Sequence, residues 1–517
     1  MRQPALIGVD LGSTNIKAVA FGLGGEQLAQ ATTPTITHAP RPGWAEYEAE
    51  EVWTAVCFVL RHLLANLPAG AAPAAIACSS MAEAGVALDA HGQPLYPFIS
   101  WFDQRTLPQA EQWEKQIGEE TTAHITGLAV RPVYGIFRLL WLRDNAPEQF
   151  RRTRRWLNMA DYGAFRLCGA TATDYSLASR MLLLDLAQKE WSATLLAANG
   201  LDRGVLGELV PSGTQVGRVS PQAAAETGLP AGLPVCSGGH DHVCGAFGLG
   251  LTQVGDTFDS MGTAESLMMT TDAPQLDGSV TQRQIGQGVH VAPNRYYAMS
   301  GVQMSGGAVD WVRRLLLGAA LGDAATPEGY EQLMQLAGDA PPGSGGVFFV
   351  PHLRRANPPH VNPHARGAFV GITGDSSRSH LARAVLEGVA YEYQQVLENM
   401  AEAVGVRPSK LVATGGGTRN GVWMGIKTAV SGLPITLPAV DEAVCLGAAM
   451  LAGVGSGVYA SFADAAEQVQ FASQTLPCDA ALHQFYRQQY ERIYRTLYGA
   501  LRGTNELIRK GVVGSGA

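Results

Sequence analysis

The sequence predicts an α/β protein built of two halves of similar architecture. Three observations carry that reading. The chain has 517 residues, more than one ordinary core accommodates. Short apolar strands alternate with segments of helical periodicity along its length. A strand, a glycine-hydroxyl turn and a second strand occur near the N-terminus, and the same order returns after residue 255. That echo places a boundary near residues 248–254, giving domains of 1–249 and 250–517.

The first half opens with strands at 5–10, 16–23 and 27–32, joined by Leu11-Gly12-Ser13-Thr14 and by Gly24-Gly25. Hairpins at this point argue against a Rossmann fold, in which a helix follows the first strand. Residues 49–67 carry apolar side chains at helical spacing. Strands follow at 74–79, 84–88 and 95–101, then helices at 108–118, 135–145, 147–150 and 159–168. Leu233-Pro234-Val235-Cys236 leads into Gly238-Gly239 and then His240-Asp241-His242, which reads as strand, tight turn and helix. In the second half, strands are expected at 255–261, 266–271, 345–351 and 410–413, and helices at 306–317, 380–404, 422–431 and 479–509, ahead of a frayed tail.

Bulk properties exclude several classes. Hydrophobic residues make up 46% and charged residues 16%, so the chain is globular rather than disordered. A net charge of −8 disfavours nucleic acid as a partner. Seven scattered cysteines without a Cys-x-x-Cys pair suit a reducing compartment. Neither a signal-peptide core nor an eighteen-residue apolar window is present, so the expected location is cytoplasmic and away from membrane.

Three glycine-rich turns are candidates for phosphate or nucleotide contact. The first is Asp10-x-Gly12-Ser13-Thr14 with Lys17, the second Gly262-Thr263, and the third Gly415-Gly416-Gly417-Thr418-Arg419-Asn420. Glycine admits a close backbone approach, hydroxyls and N–H groups hold phosphate oxygens, and a carboxylate such as Asp10 can hold Mg²⁺. Hairpins favour the same residues without any ligand. No Gly-x-x-x-x-Gly-Lys-Ser/Thr segment occurs, which excludes a P-loop enzyme. Asp241, where turn becomes helix, reads either as an N-cap or as a general base. His240 and His242 beside it lack a third metal ligand at recognisable spacing, so a zinc hydrolase is the weaker reading. Trp101, Asp103 and Arg105 suit either a polar-ligand cleft or a surface loop closed by an internal Asp–Arg pair.

Together these segments resemble the FGGY carbohydrate kinases over nearly the whole chain. Val9-Asp10-Leu11-Gly12-Ser13-Thr14 is similar to the family's first phosphate motif. Gly367-Ala-Phe-Val-Gly371-Ile372, followed after seven residues by His380-Leu381-x-x-Ala384-Val385-Leu386-Glu387, fits its C-terminal signature. Gly415 to Asn420 with Trp423, and Glu442-Ala443-x-x-x-Gly447-Ala448-Ala449, resemble its adenosine motif and last turn.

The resemblance implies two ribonuclease H-like domains of the actin and hexokinase type, α/β with mixed sheets flanked by helices and a cleft between them. It implies a phosphotransferase using ATP and Mg²⁺, with Asp241 as general base and Asp10 organising the metal. Gly12, Ser13, Thr14, Lys17, Gly262, Thr263, Gly306, Gly415, Gly416, Gly417 and Asn420 would contact the nucleotide. Glu83, Trp101, Asp103, Arg105 and Asp241 would contact a small carbohydrate: a ketose, polyol or sugar acid. His240 and His242, a pair unlike the xylulose and glycerol kinases, are candidates for the same subsite by their place beside Asp241. The departures concern the sugar: Met81-Ala82-Glu83 replaces the usual run, Arg138 stands for a lysine, and Arg355-Ala356-Asn357 stands for Gly-Glu-Arg. An alternative on the same fold is a sensor that binds sugar and nucleotide without phosphate transfer. The oligomeric state is left open, a homodimer included.

Overall fold

The computed structural model describes residues 2–318, 326–360 and 362–513. Its first sheet has six strands in the order Gln215–Arg218, Pro234–His240, Ala71–Ser80, Gln3–Leu11, Asn15–Phe21, Gln27–Pro34. The opening hairpins pair antiparallel, while Gln3–Leu11, Ala71–Ser80 and Pro234–His240 run parallel at the centre. Central parallel strands need cover on both faces, and their apolar composition reflects it. Ile7, Val9 and Ile76 pack towards the helix Ala49–Ala65. Leu6, Ala75 and Ala77 pack the other way, in a core shared with Phe247, Leu446 and Met450.

The second sheet has seven strands, ordered Gly286–Val289, Tyr296–Val302, Glu265–Thr271, Asp256–Met261, Lys410–Thr414, Ile435–Pro438, Ser473–Leu476. It repeats the pattern read from the sequence. A hairpin, Asp256–Met261 with Glu265–Thr271, is flanked on its other side by a parallel strand, Lys410–Thr414. The family fold, two mixed sheets flanked by helices, is therefore present. One helix of the C-terminal chain, Ala443–Gly455, crosses back onto the first sheet. The carbonyl of Cys445 approaches so close to Gly8 that a Cβ there would stand 1.9 Å from it.

Some elements differ from expectation. The strand expected at 95–101 shrinks to Phe98–Ile99, because Arg138 donates to the carbonyls of Ser100 and Trp101 and holds the chain in a turn. The expected strand at 345–351 is only Phe348–Val350. The final helix is divided into Ala480–Gln489, a π turn at Tyr490–Tyr494, and Arg495–Val513. The wider turn lets Tyr490 and Tyr494 donate to Glu398 and Glu392, both on the long helix Arg378–Val404. It ends beyond the expected 509, and residues 514–517, part of the expected frayed tail, lie outside the described residues. No helix among the described residues is long and apolar enough to cross a membrane.

Candidate active site

The strand Pro234–His240 runs straight into the helix Asp241–Gly248. Gly238 and Gly239, read from sequence as a turn, lie inside the strand. A Cβ on Gly238 would stand 1.9 Å from the carbonyl of Cys78, and one on Gly239 would stand 2.7 Å from Ser176 Oγ. The glycines thus serve close strand packing and a register shift between Ser237 and Gly239. His240 takes the cap position, so Asp241 is the first helical residue and not the cap.

Three donors converge on one oxygen of Asp241. Oδ1 accepts the His242 backbone N–H at 2.6 Å, His242 Nδ1–H at 2.8 Å and His240 Nε2–H at 3.0 Å. The closeness of these three side chains, which a metal site would also show, is the hydrogen bonding itself. Oδ2 takes no hydrogen bond from the described residues, and Asp241 lines the cleft. Burial alone would push this carboxyl up, but the His242 and His240 charges and hydrogen bonds hold it well below the usual carboxylate range. For His242, burial opposes the charged form, yet Asp241 outweighs it and raises the imidazole.

These shifts fix a sign. The His242–Asp241 pairing contributes fully below the ordinary imidazole value of about 6.5 and is lost as pH climbs through the raised value. Asp10, pushed up to about 8 chiefly by burial, contributes in the same direction. The thermal midpoint is therefore expected to fall as pH rises from about 4 to 8 through the Asp10 part, with the His242 part setting in near 6.5. His242→Asn should flatten part of that fall and leave the Asp10 part; identical midpoint–pH curves for the two proteins would contradict the pairing.

The cleft has a volume of about 420 Å³ and brings Asp10, Lys17, Asp241 and His242 opposite Gly415 and Gly416. Asp10 Oδ1 is buried without a partner. Besides burial, the neighbouring Asp241 charge raises its carboxyl. Lys17 faces Asp10 across the hairpin, but its ammonium donates to both oxygens of Glu442 at 2.8 Å, so it is not a free phosphate ligand here. Sequence motifs flagged Glu442 without giving it this partner, 425 residues away.

From Gly415 in the cleft wall, the remaining nucleotide candidates continue as a backbone-to-backbone chain beside the cleft. A Cβ on Gly415 would stand 2.4 Å from the Met261 carbonyl, and one on Gly306 would stand 2.5 Å from the Gly262 carbonyl. Gly306 N–H donates to Gly262, and Gly307 N–H to Thr263. Gly417 packs against Met261 and Trp423. Asn420 Oδ1 caps the helix Gly421–Ser431 by accepting Trp423 N–H at 3.0 Å. In the first turn, Thr35 clamps the carbonyls of Gly12 and Thr14. Neither Gly12, Ser13 and Thr14 nor Gly262 and Thr263 line the cleft itself.

On the carbohydrate side, Glu83 Oε1 accepts from Arg180 Nε at 2.7 Å and Nη2 at 2.5 Å. Both charges act on His242. Arg180 was missed in the sequence, where it sits among apolar residues with nothing to single it out. Asp103 and Arg105 are paired with one another. The guanidinium is bound by both oxygens of Asp103 and by Glu46, and it stacks 3.6 Å from the Trp44 ring centre. Both are buried, and the pairing braces the loop that carries Trp101. Trp101 on that loop is 42% exposed. None of Glu83, Trp101 and His240 lines the cleft. Asn357, from the Arg355-Ala356-Asn357 departure, is absorbed into the core by hydrogen bonds with Gln303 and Glu392.

Comparison with known proteins agrees with this architecture. Sequence profiles of the FGGY family of carbohydrate kinases match residues 5–248, as the N-terminal domain, and 259–456, as the C-terminal domain. A xylulose kinase of Bacillus subtilis (strain 168) is 28% identical, over 98% of each chain. A glycerol kinase of Geobacter sp. (strain M21) is 30% identical over 89% of this chain and 92% of its own. The crystal structure of xylulose kinase from Rhodospirillum rubrum superposes with a TM-score of 0.86 at 28% identity, covering 97% of this chain and all of that one.

Proposed function

Since the chain belongs to the FGGY family of carbohydrate kinases, we propose that Asp241 is the base that takes the proton of a carbohydrate hydroxyl as it attacks ATP. The observation that supports this most is the asymmetry of Asp241. Three N–H groups hold Oδ1, and Oδ2 is left open beside the cleft. The hydroxyl proton passes to Oδ2 while its oxygen bonds to the γ-phosphorus and the bond from phosphorus to the β,γ-bridging oxygen breaks, releasing ADP. A carboxylate held this acidic is a weak base. In a largely dissociative transfer that suffices, because orienting the nucleophile matters more than deprotonating it early.

Asp10 suits a divalent cation: a buried carboxylate oxygen lacks a partner, and burial together with Asp241 disfavours its charge until a cation offsets it. Magnesium held there would supply countercharge to the transferring phosphate. Gly415 and Gly416 are read as flanking adenosine, and the Gly12–Thr14 and Gly262–Thr263 turns as meeting phosphates from opposite sheets. Glu83, through its pairing with Arg180, joins His242, His240 and Trp101 in the carbohydrate subsite. Residues 1–249 and 250–517 are the proposed domains, the helix Ala443–Gly455 being a C-terminal element seated on the first sheet.

A screen of C3 to C7 polyols, ketoses and aldonates for sugar-dependent ADP release is expected to find at least one substrate. Calorimetric binding of both sugar and ATP with no transfer across the panel would instead identify a sensor.

A further inference from the structure

Lys427 is wholly buried in the middle of the helix Gly421–Ser431. Its ammonium donates to Asp259 Oδ2 at 2.6 Å and to Glu265 Oε1 at 2.5 Å, and lies 3.9 Å from the centre of the Tyr393 ring. The other oxygen of Glu265 accepts from Ser305 Oγ. Neither carboxylate has any appreciable exposure. Taking three charged groups out of water is costly, so a cluster of this kind is poor evidence of stabilisation in itself. Its placement is informative. Asp259 and Glu265 stand on the two strands that enter and leave the Gly262–Thr263 turn. Ser305 immediately precedes Gly306, and Lys427 sits on the helix that the Gly415–Asn420 loop feeds.

We propose that Lys427 is a positioning residue for the nucleotide, fixing three otherwise separate backbone segments into one wall. This rests on the reading of those segments as the nucleotide side of the site. A turn that accepts backbone hydrogen bonds from Ser305, Gly306 and Gly307 could slide with the helix they begin. The ammonium, bound to both strands beneath the turn and through Glu265 to Ser305, removes that freedom. Burial, then Glu265, pushes the Asp259 carboxyl well above its usual range, and the Lys427 ammonium opposes that rise.

Removing Lys427 alone would leave two buried acids unpaired and threaten folding. The variant to use is Lys427→Met with Asp259→Asn and Glu265→Gln, in which no charge is stranded. Provided that it retains the wild-type far-ultraviolet dichroism, its Kd for ADP by calorimetry and its KM for ATP are expected to rise about tenfold or more. The carbohydrate KM should stay within about twofold, a split that a general loosening of the fold would not give. Ser305→Ala, which deletes one hydroxyl at the cluster's edge and leaves the ion pairs intact, is expected to raise the ADP Kd about threefold. An unchanged ADP Kd in the folded triple variant, or in Ser305→Ala should the triple variant not fold, would overturn the positioning role while leaving the nucleotide site standing. Failure of the wild-type protein to bind ADP would overturn the nucleotide reading and this role with it.

Discussion

Asp241→Asn should lower kcat by about 10²- to 10⁴-fold, the usual contribution of a general base. The amide is isosteric with the carboxylate. Its oxygen can occupy the position of Oδ1, where the His240 and His242 N–H groups demand an acceptor. Its nitrogen then stands in place of Oδ2 and cannot take a proton. The substitution therefore removes the basic atom and preserves the packing, which Asp241→Ala would not do. Because the adenosine candidates Gly415 and Gly416 lie on the opposite wall, KM for ATP should change little. Steady-state ADP release with saturating carbohydrate is the measurement. Full turnover in the folded Asn variant would remove Asp241 from the chemistry.

Much of that site was legible in the sequence because local rules govern it. The hairpin 3–21 follows from two apolar runs on either side of a glycine turn, and the Asp10 and Gly415 segments from glycines whose only other reason is a turn. What was not legible is long-range pairing between charged groups. Lys17 finds Glu442, Glu83 finds Arg180 across 97 residues, and Lys427 finds Glu265 across 162. No periodicity encodes such partners, since each is decided by how the sheets stack. The reading failed in another way at Gly238-Gly239. A glycine pair signals a tight turn or a backbone that another chain segment must approach, and only the neighbouring strand, carrying the Cys78 carbonyl, distinguishes them. Asp103 and Arg105 show the same ambiguity for charge. An acid and a base two apart suit a ligand or each other, and Glu46, brought in from a distant segment, closes the network.

Gly447→Ala should be the most disruptive single methyl group in the chain's centre. The helices Asp241–Gly248 and Ala443–Gly455 cross with their backbones in contact. A Cβ on Gly447 would stand 1.8 Å from the Cys244 carbonyl oxygen and 2.6 Å from its carbon. Close carbon–oxygen contacts between helices sit at about 3.3 Å or more, so the pair must open by roughly 1.5 Å. No rotamer change can relieve a clash between a methyl and a carbonyl. The stability loss is expected to be about 3 kcal/mol, the upper range for overpacking. Function should suffer beyond stability, because both helices begin at the cleft: one starts with Asp241, and the other follows Glu442, the partner of Lys17. A shift of about 1 Å between such groups can cost about 10²-fold in rate. Urea unfolding and kcat measured well below the transition would separate the two effects. Gly425→Ala is the control, since nothing lies within 4 Å of a Cβ there and its helix should gain about 0.5–1 kcal/mol. If Gly447→Ala kept both stability and rate, the crossing would have to be compliant. The cleft would then owe its geometry to the sheets alone.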